Sequence, residues 1–254
     1  MPFWGQSRLE LDLDDAVRSC MKVATRFEVV PLGSGGKIEP IDTLFGGSPY
    51  AEEGDTWPIL YGRPMDFVAQ FNLRQCLDPP PLPYQLITVF VSWHALETDK
   101  ALQDESHGCF IRSYSDPNSA KRITLERPTP CQGGDYRVVS CRTKATRLFS
   151  YPSSVRSFLK VAVIERLVCR FSDPYDAYKR SLKRIGYQQV EATFVGGYPT
   201  WVHNNALDDD GLVFVAQIGH EPLAGFCIGD GAPLFIAAHK SDPVRFELDP
   251  FQTH

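Results

Sequence analysis

The sequence lacks the short motifs by which many enzymes and metal-binding proteins are recognised. It contains no C-x-x-C pair, which zinc ribbons and thioredoxin-like sites require. Its six histidines form neither an H-x-H nor an H-E-x-x-H pattern. The G-x-S-x-G segment of the α/β-hydrolases is also absent. The sequence therefore predicts no metal site, no cofactor and no catalytic residue.

Long apolar segments are also missing. The longest candidate, Val161–Val168, is interrupted by Glu165 and Arg166, whereas a membrane-spanning helix needs roughly 18 apolar residues. The N-terminal residues have no cationic start followed by an apolar core, so they do not resemble a secretory signal. The seven cysteines are odd in number, which leaves at least one free thiol and favours a reducing compartment. We therefore expect a cytoplasmic protein that does not enter a membrane.

Basic charge is scarce overall but concentrated in one segment. The chain carries 26 lysines and arginines against 31 acidic residues, and this net charge of -5 argues against a general nucleic-acid binder. Residues 1–110 sum to -8, residues 111–190 to +10 and residues 191–254 to -7. The basic segment 111–190 either pairs with its acidic flanks inside one fold or attracts an anionic partner. Nucleic-acid binding would require its basic side chains to share one exposed face.

The most informative feature of the sequence is an internal repeat. The segment FGGSPY at 45–50 corresponds to VGGYPT at 195–200, and DFVAQF at 66–71 corresponds to VFVAQI at 213–218. In each copy a second apolar strand then follows behind a proline, LITVFV at 86–91 and LFIAA at 234–238. We interpret the chain as a single compact domain, 1–254. It contains two related halves with pseudo-repeats at about 43–92 and 194–248, joined by the basic linking segment 111–190.

The local patterns predict an α+β fold that is predominantly antiparallel β-sheet, with few helices. The repeated segments are short and rich in β-branched and aromatic residues, which is typical of buried strands. One helix is predicted between the start signal Ser172-Asp173-Pro174 and the stop signal Gly186. A second is predicted from near Leu13 through Ala24. Residues 153–168 fit either a helix or a strand.

Several residues of the two repeats are candidate site residues. Gln70 and Gln217 interrupt apolar strands, and a buried amide must find hydrogen-bond partners. They either form a symmetric ligand-binding pair or tie neighbouring loops to the sheet. The other candidates are of three kinds. The turn glycines are Gly46, Gly47, Gly196 and Gly197. The exposed-looking aromatic residues, which could anchor a partner or cap sheet edges, are Trp4, Tyr50, Trp57 and Trp201, and a histidine that could line a cleft is His203.

The repeated motifs resemble the YwqG-like family, a group of bacterial domains of unknown function. The resemblance is carried by Gly46-Gly47-Ser48-Pro49-Tyr50, Trp57-Pro58, Phe67-Val68-Ala69-Gln70 and Gly196-Gly197-Tyr198-Pro199-Thr200-Trp201, and by the closing Gly229–Ile236 segment. It implies an α+β fold dominated by antiparallel sheet and no assigned catalytic activity.

These observations together favour a non-catalytic, cytoplasmic protein-binding protein. Its most concrete form is an immunity protein that neutralises a toxin by direct binding, because acidic flanks would attract a basic, nuclease-like toxin. The alternative is an enzyme or a small-ligand-binding protein with a pocket between the two halves, lined by Gln70, Gln217, Trp201 and His203.

Overall fold

The computed structural model describes residues 7–33, 38–98, 108–128, 138–152, 159, 161–188, 190–200, 211–228 and 231–249. Within these residues there are four α-helices, and the expectation of few helices is confirmed. They are α1 (Arg8–Ser19), α2 (Trp93–Glu97), α3 (Ala162–Val168) and α4 (Pro174–Arg184).

The described strands form one large sheet and one small hairpin. All pairings are antiparallel, so the predicted fold class is confirmed. The large sheet has ten strands in the order β12-β11-β10-β9-β1-β8-β2-β5-β6-β7, and β3 pairs only with β4. The strands are β1 (Lys22–Pro31), β2 (Leu44–Phe45), β3 (Ile59–Leu60), β4 (Arg63–Pro64), β5 (Asp66–Asn72), β6 (Leu86–Val91), β7 (Cys109–Tyr114), β8 (Cys141–Ser150), β9 (Phe194–Gly196), β10 (Leu212–Ile218), β11 (Leu234–His239) and β12 (Phe246–Asp249).

The strand order is symmetric about the central pair of β1 and β8. These two long strands pair along ten residues. On one side of them follow β2, β5, β6 and β7, and on the other follow β9, β10, β11 and β12. Strands β5 and β10, each the second strand away from the central pair on its side, also share an irregularity in register at the same place, between Phe67 and Ala69 in β5 and between Phe214 and Ala216 in β10. The two sides of the sheet therefore repeat one local geometry.

The sheet curls until its two sides share an apolar core. That core contains fully buried residues from the centre and from both sides, among them Phe71 and Ile236. Near the ends of the sheet the rings of Tyr84 and Phe246 lie 5.5 Å apart. The sheet is therefore nearly closed, and its inner face is the main source of hydrophobic stabilisation.

Helix α4 follows its sequence signals closely. The Asp173 side chain accepts a hydrogen bond from the backbone N–H of Asp176, Pro174 is the first helical residue, and Gly186 follows the helix with φ +81°. The predicted helix over 172–186 is thus confirmed. The undecided segment is helical from Ala162, whereas residues 153–158 and 160 lie outside the described residues.

Helix α1 begins five residues before its predicted start and ends before the predicted end at Ala24. The reason for the early start is a capping box, in which Ser7 and Glu10 satisfy each other's backbone N–H groups. The helix ends at Ser19 because the following segment joins β1, where long-range pairing with β8 determines the conformation. The spacing of apolar residues in the sequence does not indicate that pairing.

A second apolar cluster joins α1, α3 and α4, and it encloses an ion pair. The carboxylate of Asp14 is buried and lies 2.7 Å from the Arg184 guanidinium. The Ser181 hydroxyl donates a further hydrogen bond to Asp14 at 2.6 Å.

In the described part of the chain, none of the helices combines the length and the apolar character needed to cross a bilayer.

Two fully buried threonines provide a test of how buried hydroxyls contribute to stability. The Thr25 hydroxyl on β1 accepts a hydrogen bond from the Leu77 N–H at 2.7 Å. The Thr88 hydroxyl on β6 has no hydrogen-bond partner among the described residues. We expect Thr25→Val to lower the free energy of unfolding by about 1–3 kcal/mol, because the Leu77 N–H loses its acceptor. Thr88→Val should be neutral or stabilising, as measured by urea unfolding. An equal loss of stability in both variants would contradict this prediction.

Candidate functional site

Gln70 ties the chain on both sides of the first Gly-Gly turn to the sheet. Its side chain is fully buried in β5. The Oε1 atom accepts a hydrogen bond from the backbone N–H of Tyr50 at 2.8 Å. The Nε2 group donates to the carbonyls of Asp42 at 2.6 Å and Pro40 at 3.0 Å. One amide therefore fixes the segment that enters the turn and the segment that leaves it.

Gln217 makes the corresponding bonds in the second half. It is also fully buried, in β10. Its Oε1 atom accepts from the backbone N–H of Thr200 at 2.9 Å, and its Nε2 group donates to the carbonyl of Ala192 at 2.9 Å. Both glutamines thus tie loops to the sheet, as one of the two sequence hypotheses anticipated. A role for either glutamine in ligand binding stays a prediction.

The two Gly-Gly turns require glycine for their conformation and for their close contacts. Gly46 and Gly47 have φ of +56° and +76°, and Gly196 and Gly197 have φ of +76° and +72°. Positive φ is costly for residues with a side chain. A Cβ on Gly46 would lie 2.2 Å from the carbonyl oxygen of Val138. Each turn is therefore packed directly against neighbouring backbone or side chains, with no space for a larger residue.

The first Gly-Gly turn leads into a covering loop, residues 48–58, that folds over the outer face of the sheet. As a result Tyr50 is fully buried and Trp57 is only 9% exposed, so the sequence expectation that these aromatics are exposed is wrong. The Trp57 indole N–H donates to the carbonyl of Met65 at 2.8 Å, and its ring meets Phe90 edge to face at 5.6 Å. Three other candidates, Trp4, Trp201 and His203, lie outside the described residues.

A carboxylate at the centre of the covering loop holds it in place. Asp55 accepts hydrogen bonds from the backbone N–H of Glu52 at 2.7 Å and from the Tyr114 hydroxyl at 2.8 Å. Arg112 completes the group at 3.1 Å. Burial, together with a hydrogen bond to Glu52, raises the pKa of Tyr50 to about 12. Burial and the bond to Asp55 also raise the pKa of Tyr114, so both phenols remain hydrogen-bond donors at neutral pH.

Beside this loop lies a cavity of about 640 Å³, a size typical of ligand pockets. Its walls come from the first Gly-Gly turn, the covering loop, the start of β5 and two stretches of the linking segment. Neither Gln70 nor Gln217 is among the residues that line it. The lining residues are Gly47, Ser48, Trp57, Asp66, Phe67, Thr124, Leu125, Glu126, Arg127, Val138, Val139 and Ser140.

Two charged side chains meet at the wall of this cavity. The Arg127 guanidinium lies 2.9 Å from the Asp66 carboxylate, and these side chains are 17% and 10% exposed. The sequence marked Arg127 as part of the basic segment but gave no reason to pair it with Asp66, which lies 61 positions away. One signal in the sequence indicated that Asp66 needs a partner: it directly precedes the strand segment Phe67–Phe71, and a carboxylate at a buried strand requires an opposite charge.

Two arginines of the linking segment pair with carboxylates of the acidic first half. Arg127 pairs with Asp66, and Arg112 pairs with Asp55. A third basic residue, Lys121, lies 3.5 Å from Asp116, which belongs to the linking segment itself. For Arg112 and Arg127, the structure therefore shows internal compensation of charge, one of the two alternatives left open by the sequence.

The described residues contain no group of three side chains suited to hold a metal ion. The thiols of Cys76 and Cys109 are also poor nucleophiles, because burial raises the pKa of both to about 12. Neither cysteine lines the cavity, whose described lining offers charged groups, hydroxyls and an aromatic side chain.

The two glutamines should matter equally for stability. We expect Gln70→Leu and Gln217→Leu each to lower the free energy of unfolding by at least about 2 kcal/mol, because backbone groups of the loops lose their partners. Gln188, which is exposed, provides the control, and Gln188→Leu should change stability by less than about 0.5 kcal/mol. Denaturant unfolding measures all three. A change below 1 kcal/mol for either buried glutamine would contradict the proposed role.

Comparisons with known proteins place these features in a family. No curated protein matches the chain. The model of the family described as domain of unknown function DUF1963 matches residues 43–246. The match begins just before β2 and ends at the first residue of β12, so it includes both Gly-Gly turns, both buried glutamines and the whole cavity lining, whereas α1 and β1 precede it. The chain therefore belongs to the DUF1963 family of domains of unknown function.

Proposed function

We propose that this chain is a non-catalytic binding protein that recognises another protein through its first half. The observations that carry the proposal are the edge of β7, which no described strand covers, and three exposed apolar side chains of the first half. The edge, together with Ile59, Tyr61 and Phe110, is called the first-half surface below.

On one side of β7 the backbone groups have no strand partner among the described residues. This strand ends the ten-stranded sheet, and among the described strands only β6 pairs with it. The hydrogen bond from the Ser92 N–H to the Gly108 carbonyl identifies one hydrogen-bonded pair of this ladder. Because such pairs alternate along antiparallel strands, the backbone groups of Cys109, Ile111 and Ser113 point away from β6. An edge of this kind can accept a strand from a partner.

Three large apolar side chains of the first half are exposed, and one of them, Phe110, lies on β7 itself. Ile59 is 59% exposed, Tyr61 is 47% exposed and Phe110 is 37% exposed. Leu60, which lies between Ile59 and Tyr61 in the chain, packs against the cluster that contains Phe90, and the Phe90 ring lies 6.1 Å from that of Phe110. The segment from Ile59 to Tyr61 and the strand β7 are therefore connected through one buried cluster. Grouped apolar side chains on a surface mark interaction sites, whereas scattered ones do not.

The most specific form of the proposal is a cytoplasmic immunity protein, of the YwqG-like group, that neutralises a toxin by direct binding. Its support is the net charge of -5, which suits a basic partner, and the absence of catalytic sequence motifs. The 640 Å³ cavity favours a second candidate, an enzyme or a small-ligand-binding protein. In that case the binding site lies within the first half, beside its Gly-Gly turn.

We further propose that the two halves arose by internal duplication. The proposal is supported by the Gly-Gly pairs that lie 150 residues apart, by the shared irregularity in β5 and β10, and by the matching hydrogen bonds of Gln70 and Gln217. In addition, Thr43 and Thr193 each accept a hydrogen bond from the backbone N–H two residues after the glutamine.

The proposal is tested with the protein encoded beside this chain in its genome. We expect co-expression to protect cells from a toxic neighbour, and the purified proteins to form a complex. The variant Ile59→Glu/Phe110→Glu should weaken that complex at least tenfold in calorimetry, because it places charge in the first-half surface. Val244 is also exposed but lies in the second half, so Val244→Glu serves as the matched control.

Thermal melting establishes that both variants remain folded before binding is compared. If the neighbouring genes encode no toxin and co-expression protects against none, the immunity function is wrong. If the complex forms but only Val244→Glu weakens it, the first-half surface is the wrong site.

A further inference from the structure

We propose that the cavity beside the first Gly-Gly turn binds an organic ammonium or guanidinium group, supplied by a lysine or arginine side chain of the partner. This inference rests on the proposed function, because it identifies what the partner inserts.

The charges that line the cavity favour a cation. The described lining contains two carboxylates, Asp66 and Glu126, and one guanidinium, that of Arg127. Arg127 and Asp66 pair with each other at 2.9 Å, so their charges largely cancel. Glu126 is exposed and makes no ion pair with any described residue. Among the described lining residues, Glu126 is therefore the one charged group without an ion-pair partner.

An anionic ligand would meet two obstacles at the same place. To reach Arg127 it would have to compete with the carboxylate of Asp66, and it would also have to approach Glu126. Both costs come from repulsion between like charges at short range. A cation meets neither obstacle, because it can pair with Glu126 while the pair of Asp66 and Arg127 stays intact.

The aromatic wall suits the same ligand. Trp57 is held by the bond of its indole N–H to the Met65 carbonyl and by its edge-to-face contact with Phe90, so its ring is fixed before a ligand arrives. Tryptophan is the aromatic residue that attracts cations most strongly. The hydroxyls of Ser48 and Ser140, also in the lining, can accept hydrogen bonds from N–H donors.

The position of the cavity connects it with the first-half surface. Trp57 contacts Phe90, and Phe90 contacts Phe110 on β7. The cavity wall and the edge strand therefore share one aromatic cluster. The edge strand β7 lies two strands, about 10 Å, from β5, which supplies part of the cavity wall. A partner that covers β7 and the aromatic cluster can therefore reach the cavity with a long side chain, and the volume of about 640 Å³ has room for a basic side chain together with neighbouring groups. Side chains inserted in this way often dominate the binding energy of an interface.

The experiment uses the full-length protein and three probes: N-acetyl-lysine methylamide, N-acetyl-arginine methylamide and, as the anionic comparison, N-acetyl-glutamate methylamide. Binding is measured by NMR titration, with the Trp57 indole signal assigned by comparison with Trp57→Phe. We expect the two cationic probes to bind and shift that signal, and the anionic probe not to bind. Glu126→Gln should weaken cationic binding about three- to tenfold, and rising salt should weaken it further.

The matched control is Glu53→Gln, which removes the same charge from an exposed position outside the cavity lining. It should leave the affinity unchanged within twofold. The inference is overturned if no cationic probe binds, if the anionic probe binds more tightly, or if the two glutamine variants weaken binding equally.

Complex formation with the protein partner is measured in parallel, which separates this inference from the proposed function. If the partner binds and Glu126→Gln weakens the complex, the inserted side chain is supported. If the partner binds equally well to Glu126→Gln, the insertion is wrong although the proposed function stands. If the cationic probes bind but no protein partner does, a free organic cation is the ligand, and the partner as its source is overturned.

Discussion

An amide buried inside an apolar sheet must have every hydrogen bond supplied by the protein, and this requirement organises the first half of the molecule. Gln70 obtains its partners from the backbone on both sides of the Gly46-Gly47 turn. The turn, once fixed, directs the covering loop across the sheet, and the loop places Trp57 against Phe90. The cavity exists because these steps follow one another: the amide fixes the turn, the turn directs the loop, and the loop supplies one wall.

The charged side chains of this molecule form local ion pairs, which the net charge of the chain does not reveal. The linking segment as a whole is basic, yet two of its arginines are used to neutralise the first-half carboxylates Asp55 and Asp66. These pairs are partly buried, where an ion pair is held by geometry and is costly to break on one side. Among the described residues that line the cavity, the charge that remains after this pairing is that of Glu126.

The sequence was most informative where structure depends on neighbouring residues. The apolar runs around Gln70 and Gln217 predicted strands, and the signals at Asp173 and Gly186 predicted α4, all of which the structure contains. The loop-tying role of the glutamines followed from the cost of burying an amide. What could not be predicted depends on distant contacts. The central pairing of β1 with β8, the burial of Trp57 and the meeting of Asp66 with Arg127 leave no trace in local periodicity.

The central position of β1 has a consequence for where this fold can be divided. The strand lies between β8 and β9 and is hydrogen-bonded to both, yet it precedes residue 43, where the family match begins. A fragment cut at that boundary would keep both Gly-Gly turns but would lose the strand that joins the two sides of the sheet. Two interior edges would then face solvent, a common cause of aggregation. The region that matches the family model is therefore shorter than the part of the chain that forms the sheet.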